Sequence, residues 1–221
     1  MIVNFLTVNT SWNREKVVDF MRKIEFDTVF LDLPEHFEAY FANGMIPEVE
    51  IGLSQDLRAS EPIIRFCWEE GIPIYCYLEN KASRERVNAQ LELARLVLRA
   101  KISKKIEVDE WKRVIFRDLE SRNESAEYIE MKIRENAGKR NACINIPIQV
   151  EKELEGDFKV ERVMLYDFKR PIDRLYEIAM KELKGEKVND EEWLRLIRRH
   201  IAFVDTVVEI GYEEACKFIW I

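Results

Sequence analysis

Five short apolar runs rich in β-branched residues, set apart by longer amphipathic stretches, constrain this chain most: Ile2 to Val8, Thr28 to Leu33, Ile72 to Leu78, Ala142 to Ile146 and Lys159 to Tyr166. This is the pattern of parallel strands joined by helical crossovers, because a parallel neighbour is reached only through a long return connection. Between the first two runs, Trp12, Val17, Phe20, Met21 and Ile24 recur at helical spacing, and Thr10 or Ser11 is placed to cap the helix start. From Pro34 to Gly52, His36, Phe37, Tyr40 and Phe41 precede Gly44, Pro47 and Gly52, which predicts a short helix and then an irregular loop. A helix over Asp56 to Glu70 leads through Gly71 and Pro73 into the third run.

From Asn80 to Gly138 the chain becomes charged and almost free of glycine and proline. Leu91, Ala94, Leu98 and Ile102 form one apolar stripe and Trp111, Ile115 and Leu119 another, so consecutive helices with these stripes in the core are expected. A short helix over Ile148 to Leu154 separates the last two strands. Beyond Pro171 the chain reads as helical: Ile172 to Leu183, a break at Lys184 to Glu186, a long helix opened by Asn189 with Glu192 in capping-box spacing, Gly211 as its stop, and Tyr212 to Trp220. The expected architecture is α/β, a mainly parallel open sheet of about five strands. It forms one domain over 1–168 with a helical insertion at 80–138, and a helical C-terminal extension over 169–221 packs on it.

With 221 residues, 47% of them hydrophobic, the chain can bury a sizeable core, which excludes disordered, collagenous and disulfide-scaffold classes. The 42 acidic residues against 35 basic ones give a net charge of −7, the wrong sign for broad phosphate affinity, so nucleic acid is not expected as a partner. Cys67, Cys76, Cys143 and Cys216 form no CxxC pair, and Cys67 and Cys76 read as small buried hydrophobes; a reducing, cytoplasmic setting is expected. No segment approaches the uninterrupted apolar length of a membrane span, and no membrane partner is expected. Charge carried as Glu, Lys and Arg, with only three glutamines, is a bias familiar in thermophile proteins.

In an open parallel sheet, ligands bind outside the strand C-termini, where loops and helix N-termini converge. Those ends supply Asn9, Thr10 and Ser11; Asp32, Glu35 and His36; Glu79 and Asn80; Asn145 and Gln149; and Asp167. Asp32, Glu35, Glu79 and Asp167 suit a hard cation such as magnesium or manganese if they converge, and serve as helix caps if they do not. Thr10 and Ser11 could hold an anion at a helix N-terminus or simply cap it. Asn145 and Gln149 bracket Pro147 in a turn aimed at the crevice. His36 is either a ligand or base beside Asp32 or a surface or capping residue, whereas His200, within Arg198-Arg199-His200, reads as part of a solvated helix face or of an ion pair with nearby acids. Trp111, Trp193 and Trp220 read as core, with a homodimer interface as the alternative for an exposed stripe on the C-terminal helices.

The stretch LTVN (Leu6 to Asn9), a helix, and DTVFLDLPEHFEAYF (Asp27 to Phe41) resemble the start of the superfamily of TraB/PrgY-type proteins, ChaN-like haem-binding lipoproteins and erythromycin esterases. There a strand ending GTxH precedes a helix and a strand reading roughly PDVVxVELD. Arg122, Met131 and NACINIPIQVEKEL (Asn141 to Leu154) are similar to that family's later helix, strand and GxxH turn. Under this resemblance Asn9 and Gln149 stand at the two histidines, Leu6 and Ile146 at glycines, and Asp32 at the strand-end glutamate. An amide neither shuttles a proton nor ligates zinc well, so the resemblance implies a divergent or inactive member.

Two functions remain open from the sequence. In a metal-assisted hydrolase, Asp32, Glu35 and His36 would hold a cation or activate water, Glu79 would assist, and Asn9 and Gln149 would position substrate. In a non-catalytic sensor or interaction protein, the crevice would bind a small anionic ligand near Thr10, Ser11 and Asn145, and the C-terminal helices would pass the state to a partner.

Overall fold

The structure, a computed structural model, describes residues 1–48 and 51–220, without the side chains of 51, 52, 219 and 220. The side chain of Trp220 lies outside those described, and Gly52, expected in an irregular loop, falls in the helix that begins at Ile51. The elements run β1 (Ile2–Leu6), α1 (Ser11–Met21), β2 (Thr28–Pro34), a 3₁₀ turn (Glu35–Phe37), α2 (Glu38–Ala42), α3 (Ile51–Glu70) and β3 (Ile74–Leu78). Then follow α4 (Asn80–Ser103), α5 (Val108–Glu124), α6 (Ala126–Asn136), β4 (Asn141–Ile144), α7 (Ile148–Leu154), β5 (Val160–Met164), α8 (Pro171–Leu183), α9 (Asp190–Ile210) and α10 (Tyr212–Trp220). Two compact units result, Met1–Arg84 with Glu124–Tyr166, and Glu85–Asn123 with Asp167–Ile221, so the segment read as one insertion at 80–138 is divided between them.

The first unit holds a five-stranded, all-parallel sheet of order β3-β2-β4-β1-β5. The chain moves one way along it from β1 to β2 to β3 and the other way from β4 to β5. Right-handed crossovers then place α1 and α3 on one face and α6 and α7 on the other; α1 packs on α3 and α6 on α7 accordingly. Side chains alternate between the faces as the pleat requires. Val3, Phe5, Val29, Leu31, Leu33, Cys76, Ala142 and Ile144 join the core with Val17, Met21, Ile63 and Ile64, whereas Ile2, Phe30, Tyr77 and Cys143 meet Ile129, Ile133, Val150 and Leu154. Each fully buried Val, Leu, Ile, Phe or Met among them contributes about 1.5–3 kcal/mol. Asn4, a buried amide in mid-strand, is satisfied by Ile146 (N–H donating at 3.0 Å, C=O accepting at 3.1 Å) and by Glu151, which Arg162 neutralises. Among the described residues no helix is long and apolar enough to cross a membrane.

The second unit is helical, and its core joins Leu93, Val97, Trp111, Ile115, Leu175, Ile178, Trp193 and Ile197. Asn189 caps α9 by accepting from the Glu192 N–H at 2.8 Å, and Gly211, at φ 86°, ends it in the left-handed region that favours glycine. Two expectations are corrected here. The stripe of α4 that faces the core is Ala89, Leu93, Val97 and Ala100; Leu91, Ala94, Leu98 and Ile102 lie on the outer side and are exposed. His200 is not on a solvated face: it is 9% exposed, packs edge-on to Trp111 at 5.9 Å, and its Nδ1 has no hydrogen-bond partner. Burial, reinforced by the Arg170 charge and opposed by Asp173, pushes its imidazole down to about 4.

The four cysteines are free and buried, and burial raises the Cys67 thiol to about 12. Such thiols are packing groups rather than nucleophiles.

Candidate functional site

β1 and β4 are neighbours whose onward connections leave in opposite directions, so their C-terminal ends form the switch point of the sheet. The chain departs from β1 through Thr7 to Thr10 into α1, and from β4 through Asn145, which takes a left-handed conformation at φ 57°. That conformation turns the Asn145 side chain back along the strand ends. Its Oδ1 accepts from the Thr7 N–H at 2.8 Å, and its Nδ2 donates to Thr7 Oγ1 at 3.1 Å and to Asp32 Oδ2 at 2.8 Å. Asn is among the few residues that tolerate this backbone region.

At the centre lies Arg14, which the sequence reading did not single out. Its Nη2 donates to both Asp32 oxygens at 2.7 Å and to Asn9 Oδ1 at 2.9 Å, while Nη1 donates to Ser60. Arg14 is 0% exposed and Asp32 5%. A buried pair of this kind offsets a desolvation cost of several kcal/mol per ion only because its remaining polar atoms are bonded. Here one atom is left over: Arg14 Nε has no partner, and neither has Thr10 Oγ1, one helical turn away in a residue that is itself 0% exposed. Thr10 occupies the N-cap position of α1 without making the capping bond.

The loop between β1 and α1 is fastened to α3. Asn9 donates to Asp56, Gln55 donates to the Asn9 carbonyl at 2.8 Å, and Arg14 reaches Ser60. Ser11 Oγ donates to the Arg58 carbonyl at 3.4 Å. That carbonyl lacks the usual helical donor because residue 62, four positions on, is a proline inside α3.

The other residues read from the sequence fall elsewhere. Glu35 accepts from Tyr128, His36 is exposed with Nδ1 2.6 Å from Asn80 Oδ1, and Glu38 receives the Cys76 N–H at 2.7 Å and pairs with Lys132 at 3.0 Å. Burial, with Glu35, Glu38 and Glu79 beside it, raises the Tyr128 phenol. Glu79 is half-buried next to the start of α4, Gln149 is exposed in the first turn of α7, and Asp167 belongs to the second unit.

Among the described residues no hydrogen bond joins Glu35, His36 or Glu79 to Asp32. No three His, Cys, Asp or Glu side chains there are arranged to hold a metal ion. The structure thus brings together Asp32, Asn9, Asn145, Thr10 and Ser11 around Arg14. The available signal for Arg14 was its place in the apolar spacing of α1: it shares one face with Val17, Val18 and Met21, all buried.

Comparisons with protein-family models, with curated proteins and with solved structures found no match for this chain.

Proposed function

We propose that the first unit is a non-catalytic binding module, and that its switch-point crevice takes a small anion bearing a carboxylate or phosphate group. Arg14 and the amino end of α1 supply the attraction, and the half-buried side chains of Asn9, Ser11 and Asn145 form the rim through which the ligand is read. One observation carries this reading: Arg14 Nε and Thr10 Oγ1 are buried donors with nothing to donate to. Buried polar groups are otherwise paired in native proteins, and an unpaired one costs about 1–3 kcal/mol. A bound oxyanion would satisfy both and would recover that energy as affinity.

A catalytic role, with Asp32 and Glu35 holding magnesium or manganese, requires Asp32 to exchange the Arg14 guanidinium for the cation. The resemblance to the TraB, ChaN and erythromycin-esterase group fits the binding reading as a relative that has lost its imidazoles. Asn9, in the place of one of them, uses its amide at both ends.

The test is a thermal melt with inorganic phosphate, malonate or manganese, on the wild type and on Thr10→Val. The isosteric change removes the idle hydroxyl without breaking a hydrogen bond. The reading expects phosphate or malonate to raise the wild-type melting temperature and Thr10→Val to abolish the rise while folding normally. A rise with manganese alone would replace this reading by the metal-assisted one.

A further inference from the structure

The outward stripe of α4 is spaced like a helix-pairing seam. Leu91, Ala94, Leu98 and Ile102 recur at intervals of three and four, and the three large members are 48%, 59% and 74% exposed. Their helix already buries its opposite side in the core of the second unit, so this side has no use within the unit. The end of α4 is also the most basic part of an acidic chain: Arg95, Arg99, Lys101, Lys104 and Lys105 occur between 95 and 105 with no acidic residue. Arg99 pairs with Glu110 and Lys101 with Asp205; Arg95, Lys104 and Lys105 have no ion-pair partner among the described residues.

The Lys101–Asp205 bridge sets this basic end within side-chain reach of the C-terminal half of α9, where the charge is reversed. Residues 205 to 214 carry Asp205, Glu209, Glu213 and Glu214 and no base. Val208 and Ile210 in the same stretch are 77% and 45% exposed. One surface of the second unit is therefore apolar, basic along one side and acidic along the other.

Such a surface complements itself under a two-fold rotation, which lays the basic side of one copy on the acidic side of the other twice over. We propose that this face is a homodimer interface, with the α4 stripe as its apolar centre and the Arg95/Lys104/Lys105 and Asp205/Glu209 sides pairing across the axis. A membrane is a poorer occupant. The stripe is one residue wide, without the Trp or Phe of an interfacial helix, and its acidic side would face anionic headgroups.

Sedimentation equilibrium tests it on the full chain over a range of concentrations. The wild type is expected to dimerise, and Ile102→Glu to weaken the dimer by at least about tenfold with unchanged circular dichroism. Two further variants make the test specific: Lys104→Glu with Lys105→Glu, and Glu209→Lys with Glu214→Lys. Each alone should be monomeric, and an equimolar mixture of the two should restore the dimer, because both contacts are then attractive. A wild type that stays monomeric, a dimer that survives both variants, or a mixture that fails to reassociate would each overturn the proposal. So would a concentration-dependent ladder beyond the dimer, which would mean head-to-tail contacts.

Discussion

His200 should make the helical unit lose stability in mildly acidic solution. Its imidazole is buried against the edge of Trp111, and burial, with Arg170 nearby, lowers its proton affinity from the usual 6.5 to about 4; the Asp173 charge opposes the shift only in part. The unfolded chain therefore takes up a proton near pH 6.5 and the folded one only near pH 4. In that interval the unfolded state binds more protons, so stability falls as the pH falls. The contribution is complete above 6.5, is lost progressively down to about 4, and levels off below. The interval corresponds to about 3 kcal/mol, a sizeable share of the 5–15 kcal/mol that holds a typical domain together.

The assay is urea denaturation followed by tryptophan emission at steps between pH 7.5 and pH 4, for the wild type and His200→Leu. Leucine fills the site and carries no proton. The wild type should lose about 3 kcal/mol relative to His200→Leu across that range, whatever the other groups contribute to both. Parallel curves would refute the reasoning. So would a ring titration near 6.5 in His36→Gln, where His200 is the one remaining histidine.

Further outcomes are expected from the first unit and from α9. Arg14→Met should cost about 3–5 kcal/mol in denaturant titration by stranding the buried Asp32 carboxylate, and Arg14→Met with Asp32→Leu should recover most of it. At Asn145, φ 57° means that Ala should be less stable than Gly by about 1 kcal/mol, although both lose the bonds to Thr7 and Asp32. Gly138→Ala should lower the melting temperature, since its new Cβ would stand 2.6 Å from Asp27 Cβ; relieving that contact costs about 1–3 kcal/mol. Asn189→Ala should cost about 1 kcal/mol through loss of the α9 cap, read by thermal denaturation.

The strands of this protein were legible because their apolar runs are short, β-branched and bounded by turns, and parallel strands covered on both faces need little else. Caps and stops were legible for a similarly local reason, as Asn189 and Gly211 show. Faces of a helix were not. Helix α4 offers two apolar stripes, and the one with the larger side chains is outside; Ala89 and Ala100 in the inner stripe leave room for close helix approach, which no local pattern weighs against the bulk of Leu98 and Ile102. The site was half legible. Asp32, Asn9 and Asn145 were found by their place at strand ends, but Arg14 was hidden in a helix whose face it shares with valines. A buried guanidinium is recognised only once its partners from β2, α3 and the loop after β1 are in place. Asp32, Glu35 and Glu79 looked like one group in the chain, but Asp32 is held by Arg14 and Asn145 and Glu35 by Tyr128.

The strand order also bears on how the chain assembles as it is made. β2 and β3 are consecutive in sequence and paired in the sheet, so they can zip as soon as β3 has been synthesised. β1 cannot join them: its neighbours are β4 and β5, with Ile2 opposite Asn141 on one edge and Val160 on the other. β1 therefore waits with both edges open until β4, at Asn141–Ile144, has been made, and pairings over such separations close slowly. During that wait Ile2, Val3 and Phe5 are an exposed apolar strand, and the newborn chain is most open to aggregation, and most dependent on chaperones, at the step just before β4 inserts between β1 and β2.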